Sequence, residues 1–139
     1  MTPSKVMEYV DGIRPNAYDE EVKLKWISDL DGMVRRLVFQ EKVAEPYVYP
    51  DDIDKELLIP TPFDNVYALY LESMIDYYNR EYGNYNNSAA MFEARFSEFK
   101  KAYIRGEIER IYYEESVKPG KPPEPNLPEL APDDGYAEE

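Results

Sequence analysis

Hydrophobic residues recur every three or four positions in several stretches of the chain, which is the spacing of one face of an α-helix. This pattern predicts a short helix over 3–11, a longer helix over 19–40, and two further helices over 61–82 and 87–104. The last two are separated by a connection so short that we expect them to be antiparallel neighbours. The predicted fold class is therefore all-α, a small helical bundle.

Residues at the predicted helix ends support these boundaries. Thr2 and Thr61 can each cap a helix, and each is followed by a proline, which suits the first helical turn. Asp19 is a candidate cap for the second helix. Gly83 is expected to end the third helix in the left-handed conformation, with the following "NYNN" as the turn.

Residues 41–62 interrupt the helical pattern with four prolines and two short β-prone pieces, "YVY" and "ELLI". A connection this long inside a compact domain is uncommon. We predict an extended arm or irregular hairpin that contacts a neighbouring subunit, with strand addition at an open edge as one way to do so. The hydrophobic residues expected at that interface are Tyr47, Tyr49, Leu57, Leu58 and Ile59.

The segment "DYYNREYGNYNNSAAMF", residues 76–92, interleaves tyrosines with asparagines. A packed helical hairpin explains most of it, because the asparagines suit the turn and Tyr78 and Tyr82 fall on the apolar stripe of the third helix. Tyr77 and Tyr85 fall off that stripe. Since tyrosine is enriched at protein interfaces, we expect these two residues to face a partner.

The composition changes near residue 117, because six of the twelve prolines fall in the last part of the chain. The folding unit is expected to be 1–116, followed by an acidic, proline-rich and non-globular tail over 117–139. We predict that this tail is a strap that becomes ordered only on assembly. The residues expected to contact a neighbour there are Tyr112, Tyr113, Leu127, Leu130 and Tyr136.

Cysteine and histidine are both absent. Disulfides, zinc–sulfur sites and Ser–His–Asp or Cys–His catalysis are therefore excluded, and there is no glycine-rich phosphate loop. The sequence predicts no enzyme, no catalytic residue and no cofactor.

Acidic residues form the remaining candidate sites. The run 51–56, "DDIDKE", lacks the glycine and distal glutamate of a calcium loop, so we expect a solvated turn and no metal. The pair Asp29 and Asp31, and the pair Glu72 and Asp76, are also expected to be solvated. Trp26 lies on the apolar stripe of the second helix and is expected in the core.

The formal net charge is −13, and the acidic residues are spread along the chain. Residues 1–116 hold 23 acids and 14 bases, and 117–139 hold six acids and two bases. Such a chain repels DNA phosphates, so sequence-specific DNA binding is not expected. No apolar run approaches the ~20 residues of a membrane span, and the N-terminus carries no signal-peptide pattern, so no membrane partner is expected.

The order of the motifs "RPNAY", "YPD…ELL…P…FDNVY" and "YLESMIDYYNREYGNYNNS…F" resembles the head–tail connector proteins of long-tailed bacteriophages and prophages, also called head-completion or adaptor proteins. The resemblance covers residues 8 to 103. It implies a helical subunit of a homo-oligomeric ring of roughly a dozen copies, a closed cyclic assembly. The expected partners are the portal protein, a tail-side connector or tail-completion protein, and DNA only as it passes non-specifically through the channel. The expected location is the head–tail junction of the virion, after synthesis in the host cytoplasm.

Two other hypotheses remain open at this point. A small acidic phage-encoded interaction module, which binds a host factor or mimics DNA, would explain the charge and size of the chain. An enzyme that uses carboxylates and a divalent metal rests only on the abundance of acids.

Overall fold

The protein's computed structural model describes residues 1–108 of the 139-residue chain. Within this range it contains four α-helices and no strand, so this part of the chain is all-α as predicted. The helices are α1 (Pro3–Ile13), α2 (Glu20–Met33), α3 (Asn65–Tyr78) and α4 (Tyr82–Ile104), and a π-helical turn, Val34–Val38, continues α2. The proline-rich tail and its expected contact residues, Tyr112, Tyr113, Leu127, Leu130 and Tyr136, lie outside the described residues.

Helix α1 begins as predicted. The Thr2 side chain accepts a hydrogen bond from the backbone nitrogen of Lys5 at 3.3 Å, and Pro3 occupies the first turn. At the start of α2 the prediction was wrong in one detail, because Asp19 precedes the helix but its side chain makes no capping hydrogen bond.

Helices α3 and α4 form the antiparallel hairpin expected from their apolar stripes. Ring contacts show the direction. Phe63, just before α3, packs on Phe99 with 6.1 Å between ring centroids, and Tyr70 packs on Phe92 at 5.0 Å. Later residues along α3 therefore contact earlier residues of α4, which is the antiparallel arrangement. Only residues 79–81 connect the two helices. The hairpin is therefore tighter than the sequence predicted.

The turn of this hairpin lies upstream of its predicted position. Arg80 takes the left-handed conformation, with φ of 63°, whereas Gly83 lies inside the first turn of α4. The prediction that Gly83 ends a helix was wrong, because the backbone reverses before reaching it. As a result, the asparagine-rich "NYNN" is helical.

A single apolar core lies between the four helices. All four contribute side chains that are almost entirely shielded from solvent, and α3 packs most extensively against α4. The largest buried side chains from the helices are Val6 and Val10 of α1, Leu24, Ile27 and Leu30 of α2, Tyr67, Leu71 and Ile75 of α3, and Phe99 of α4.

The connecting arm, residues 41–62, consists of turns and bends without a strand, and its second half completes the core. Leu57, Leu58 and Ile59 are 4%, 1% and 1% exposed, so the expectation that they face a neighbouring subunit was wrong. Backbone hydrogen bonds from Ser4 to Ile53 and from Leu57 to Met1, at 2.9 and 3.0 Å, hold the arm against the N-terminus of the same chain. The surplus of hydrophobic residues in this half of the arm serves the fold of its own subunit.

Candidate functional site

Four tyrosines surround the turn between α3 and α4, and we call this group the tyrosine corner: Tyr77, Tyr78, Tyr82 and Tyr85. The first three are 47%, 52% and 54% exposed, whereas Tyr85 is partly buried. The Tyr77 ring contacts the other three, with centroid distances of 5.1 Å to Tyr78, 6.2 Å to Tyr82 and 5.4 Å to Tyr85. The rings therefore form one continuous aromatic surface.

Trp26 of α2 supports the tyrosine corner from the core side. Its ring stacks on Tyr78 at 5.4 Å with an interplanar angle of 4°, and Tyr18 packs edge-on against it at 5.5 Å. Trp26 is only 8% exposed, which confirms its predicted place in the core. The hydroxyl of Tyr18 also donates to Asn79 in the turn, at 2.9 Å. These contacts fix the corner to α2 and limit its movement.

A buried charge network holds the base of the same hairpin. Asp76 is fully buried, accepts a hydrogen bond from Arg14 Nη1 at 2.6 Å, and accepts another from the Ser88 hydroxyl at 2.9 Å. The second terminal nitrogen of Arg14 contacts Glu72 Oε1 at 3.1 Å. Arg14 therefore links the segment after α1 to α3, and Ser88 links α3 to α4. The prediction that Glu72 and Asp76 are solvated was wrong, because both side chains are largely shielded from solvent and share the Arg14 guanidinium.

A second buried carboxylate, Asp31 of α2, fixes the connecting arm. Its two oxygens accept hydrogen bonds from the hydroxyls of Tyr67 and Tyr47, each at 2.5 Å, and from the backbone nitrogen of Leu58 at 3.3 Å. The Tyr67 hydroxyl in turn accepts from the Ile59 backbone nitrogen at 2.8 Å. The expectation that Asp31 is solvated was also wrong.

Burial raises the pKa of the Asp31 carboxyl to about 6, because an ionised carboxylate loses its hydration inside the protein. The hydrogen bonds from Tyr47, Tyr67 and Leu58, and the positive charge of Arg35, offset part of this rise. The same burial, together with the nearby Asp31, raises the pKa of Tyr67 and of Tyr47 well above the usual tyrosine range. The tyrosines therefore stay protonated and act as hydrogen-bond donors. The cluster has a structural role, because it joins α2 to the arm and to α3.

A surface groove runs between α2 and the first half of the arm, and we call it the α2 groove. It comprises two hollows of about 500 and 520 Å³ that share Ser28, Asp29 and Pro46. The first hollow is lined by Asp19, Glu21, Val22, Leu24, Lys25, Tyr47 and Tyr49 in addition to the shared residues. The backbone nitrogen of Tyr47 donates to the Ser28 hydroxyl at 2.9 Å, which fixes one wall of the groove.

The residues predicted at a subunit interface therefore separate into three groups. Tyr77 and Tyr85 lie in the tyrosine corner, Tyr49 and the partly buried Tyr47 line the α2 groove, and Leu57, Leu58 and Ile59 lie in the core. The sequence pattern places Tyr78 and Tyr82 on the apolar stripe and so gives no indication of their exposure. Their position beside a turn rich in polar residues was the available signal.

Acidic side chains are common on this surface, but residues 1–108 contain no cluster of three or more aspartates and glutamates arranged to hold a metal ion. In the 51–56 run, Asp52 accepts a hydrogen bond from the backbone nitrogen of Val48 at 2.7 Å, which stabilises a turn. None of the helices within the described range has the length and apolarity needed to cross a membrane.

Comparisons with known proteins give no assignment. No family model matches the chain, and neither a curated protein nor a solved structure matches it. A functional proposal therefore depends on the motifs of the sequence and on the two surfaces described above.

Proposed function

We propose that this chain is a structural subunit of a phage head–tail connector, a ring that joins the capsid portal to the tail and extends the DNA channel. The proposal starts from the order of motifs over residues 8–103, which resembles that family. In this proposal the protein performs no reaction. It works by presenting fixed surfaces to neighbouring copies, to the portal and to a tail-side protein.

The observation that carries the proposal is the exposed tyrosine corner. Contiguous exposed aromatic surface is unusual on a monomeric protein and commonly marks a site of protein association. Tyr77, Tyr78 and Tyr82 are each about half exposed although their rings pack together. The corner also lies in the "YLESMIDYYNREYGNYNNS" segment, which is one of the motifs that carry the resemblance.

The support beneath the corner favours an assembly role. Trp26 stacks on Tyr78. Asp76, two residues before Tyr78, is buried and pairs with Arg14. A surface that is already ordered loses little conformational entropy when it docks, which favours association. Tyrosine side chains suit such a surface because each provides a large apolar ring and a hydroxyl that can pair at the edge of the interface.

The acidic character of the chain fits a channel through which DNA slides without being held. A negative surface repels the phosphate backbone, so DNA contacts would be weak and independent of sequence. The location that this proposal assigns to the protein is the head–tail junction of the virion.

A second function is favoured by the net charge of −13. A small acidic interaction module could bind a basic host protein, or mimic DNA, without forming a ring. It would use its carboxylates more than its tyrosines, so the two proposals predict different sensitive residues.

The test is co-expression of the full chain with the portal protein encoded in the same phage or prophage genome. Electron microscopy of the purified complex should show a ring of this protein with cyclic symmetry on one face of the portal. A complex that lacks the protein, combined with a purified protein that remains monomeric, would overturn the connector proposal. Capture of a host DNA-binding protein in its place would support the interaction module.

A further inference from the structure

The α2 groove combines aromatic and proline walls with an acidic rim. Tyr49 and Pro46 are exposed on the side of the arm, and Val22 is exposed on the side of α2. The Tyr49 hydroxyl donates to Glu20 Oε1 at 3.2 Å, which orients its ring at the edge of the groove. Aromatic-lined grooves of this kind are the surfaces on which proline-rich segments dock in their extended polyproline conformation.

The charges of the groove favour a ligand that carries lysine or arginine. Asp19, Glu21 and Asp29 line the first hollow, and Lys25 is its one lining cation. Lys25 pairs with Asp29 at 3.3 Å, whereas no cation in residues 1–108 forms an ion pair with Asp19 or Glu21. Two carboxylates therefore remain available to a basic group on a docked segment.

This chain itself contains a segment with the required chemistry. Residues 117–128, "VKPGKPPEPNLP", hold five prolines, two lysines and one glutamate, so their formal charge is +1 although the whole chain is acidic. Nine positions separate residue 117 from Ile108, where the described part of the chain ends. At an extended rise of roughly 3 Å each, these nine steps can span about 27 Å, which is close to the ~30 Å diameter of a small domain.

We propose that the α2 groove of one copy binds the 117–128 segment of a second copy. This inference rests on the proposed ring, because a groove that receives a segment from the next copy makes a head-to-tail contact, and such contacts form a ring when the rotation between copies closes. The prolines pack on Tyr49, Pro46 and Val22, and Lys118 or Lys121 pairs with the carboxylates of Asp19 and Glu21. The proline-rich segment loses little backbone freedom on docking, which favours binding.

The direct test is binding of a fluorescent peptide with the sequence of residues 117–128 to a full-length receptor. The receptor carries Pro122→Ala, Pro123→Ala and Pro125→Ala, so that its own segment does not compete. We expect saturable binding that weakens by about tenfold or more when the receptor also carries Tyr49→Ala or Asp19→Lys, because aromatic and charged anchors dominate such interfaces. Tyr9→Ala, which alters an exposed tyrosine of α1 outside both the groove and the tyrosine corner, should leave the affinity unchanged.

Specificity is tested on the peptide. Replacing both of its lysines by glutamate should abolish binding, whereas reversing Glu124 to lysine should not weaken it. Absence of saturable binding up to millimolar peptide would overturn the proposal. Equal affinity for the receptor with Asp19→Lys would overturn it as well, and so would a loss of affinity in Tyr9→Ala as large as that in Tyr49→Ala.

Complementation tests whether the contact joins two copies. A full-length Tyr49→Ala chain retains the segment, and the triple proline variant retains the groove, so a mixture of the two should form a dimer that neither forms alone. Dimer formation by either variant alone, or its absence from the mixture, contradicts the contact between copies. Rings that form on the portal despite failed peptide binding would leave the connector proposal standing and refute only this inference.

Discussion

The connecting arm and the tyrosine corner both carry hydrophobic residues outside the middles of the helices, yet they differ in solvent exposure. Leu57, Leu58 and Ile59 of the arm are buried, whereas Tyr77 and Tyr82 of the corner are about half exposed. The chemistry of the side chains explains the difference. Leucine and isoleucine have no polar group that water can satisfy, whereas tyrosine tolerates solvent through its hydroxyl.

Each region is fixed by a buried carboxylate, which lies on α2 for the arm and on α3 itself for the corner. Asp31 binds the arm through Tyr47 and the Leu58 backbone, and Asp76 binds the base of the corner through Arg14 and Ser88. The Asp31 carboxylate holds the buried half of the arm against the core, whereas the Asp76 carboxylate holds an exposed surface in place. Hydrophobic character alone therefore does not distinguish the two roles.

The largest expected effect concerns the buried half of the arm. Leu58→Ala should lower the free energy of unfolding by about 2 to 5 kcal/mol, because Leu58 is 1% exposed and its loss leaves a cavity. Val48→Ala, at an exposed position of the same arm, should change it by less than about 0.5 kcal/mol. Chemical denaturation measures both values. Equal, small effects would mean that the arm does not belong to the core.

The next effect concerns the support of the corner. Arg14→Met should lower the free energy of unfolding by about 2 to 3 kcal/mol, because it leaves the buried Asp76 without its cation. Arg95→Met removes the exposed pair with Glu98 and should cost less than about 1 kcal/mol. Denaturation curves of the two variants give the comparison. If Arg14→Met lowers the free energy of unfolding no more than Arg95→Met does, the Arg14 network is not a structural support.

A smaller effect follows from the pKa of Asp31, which burial raises from the ordinary value of 3.8 to about 6. The folded protein takes up this proton at a higher pH than the unfolded chain does. The stabilisation is therefore complete below 3.8 and is lost as the pH rises through 6. The groups that face the carboxyl are the hydroxyls of Tyr47 and Tyr67, which stay protonated throughout, and the cation of Arg35.

The measurement compares the original chain with Asp31→Asn at pH 7 and at pH 5. Lowering the pH should stabilise the original chain by roughly 1 kcal/mol relative to the variant, from the integrated difference in proton binding. Identical pH dependence of the two proteins would contradict the raised pKa. A relative loss of stability on acidification would show that the pKa is lowered instead.

The smallest effect concerns the turn of the corner. Arg80 has a φ of 63°, a conformation that a residue with a Cβ atom adopts at a cost. Arg80→Gly should therefore raise the free energy of unfolding by up to about 1 kcal/mol. Thermal unfolding at fixed pH measures the change, with Arg36→Gly in the π-helical turn, where φ is not positive, as a destabilised control. A loss of stability for Arg80→Gly would mean that its side chain matters more than its backbone.

The helices could be predicted from the sequence because their signals are local. The apolar spacing gave α2 and the α3–α4 pair, and the Thr2–Pro3 start of α1 followed from adjacent residues. The exact turn could not be predicted in the same way. A glycine stood close by at position 83, but the chain uses Arg80 for the left-handed residue, and the packing of the rings on both sides decides where it reverses.

The buried carboxylates could not be predicted because their partners are distant in the sequence. Asp31 is 36 residues from Tyr67, and Asp76 is 62 residues from Arg14. Read alone, an aspartate in a helix is most often solvated. In the tyrosine corner, the sequence identified Tyr77 correctly as off the stripe. The exposure of Tyr78 depends on how Trp26 of α2 packs against it, and that of Tyr82 on its position at the start of α4.

The claim that the tyrosine corner is an assembly surface is tested most directly by sedimentation velocity of the full chain mixed with its portal protein. The double variant Tyr77→Ala, Tyr82→Ala is compared with the original chain, and its thermal unfolding is followed in parallel. We expect the original chain to sediment with the portal as a ring and the variant to remain separate, while both unfold at nearly the same temperature. Co-sedimentation of the variant to the same extent as the original chain would contradict the claim.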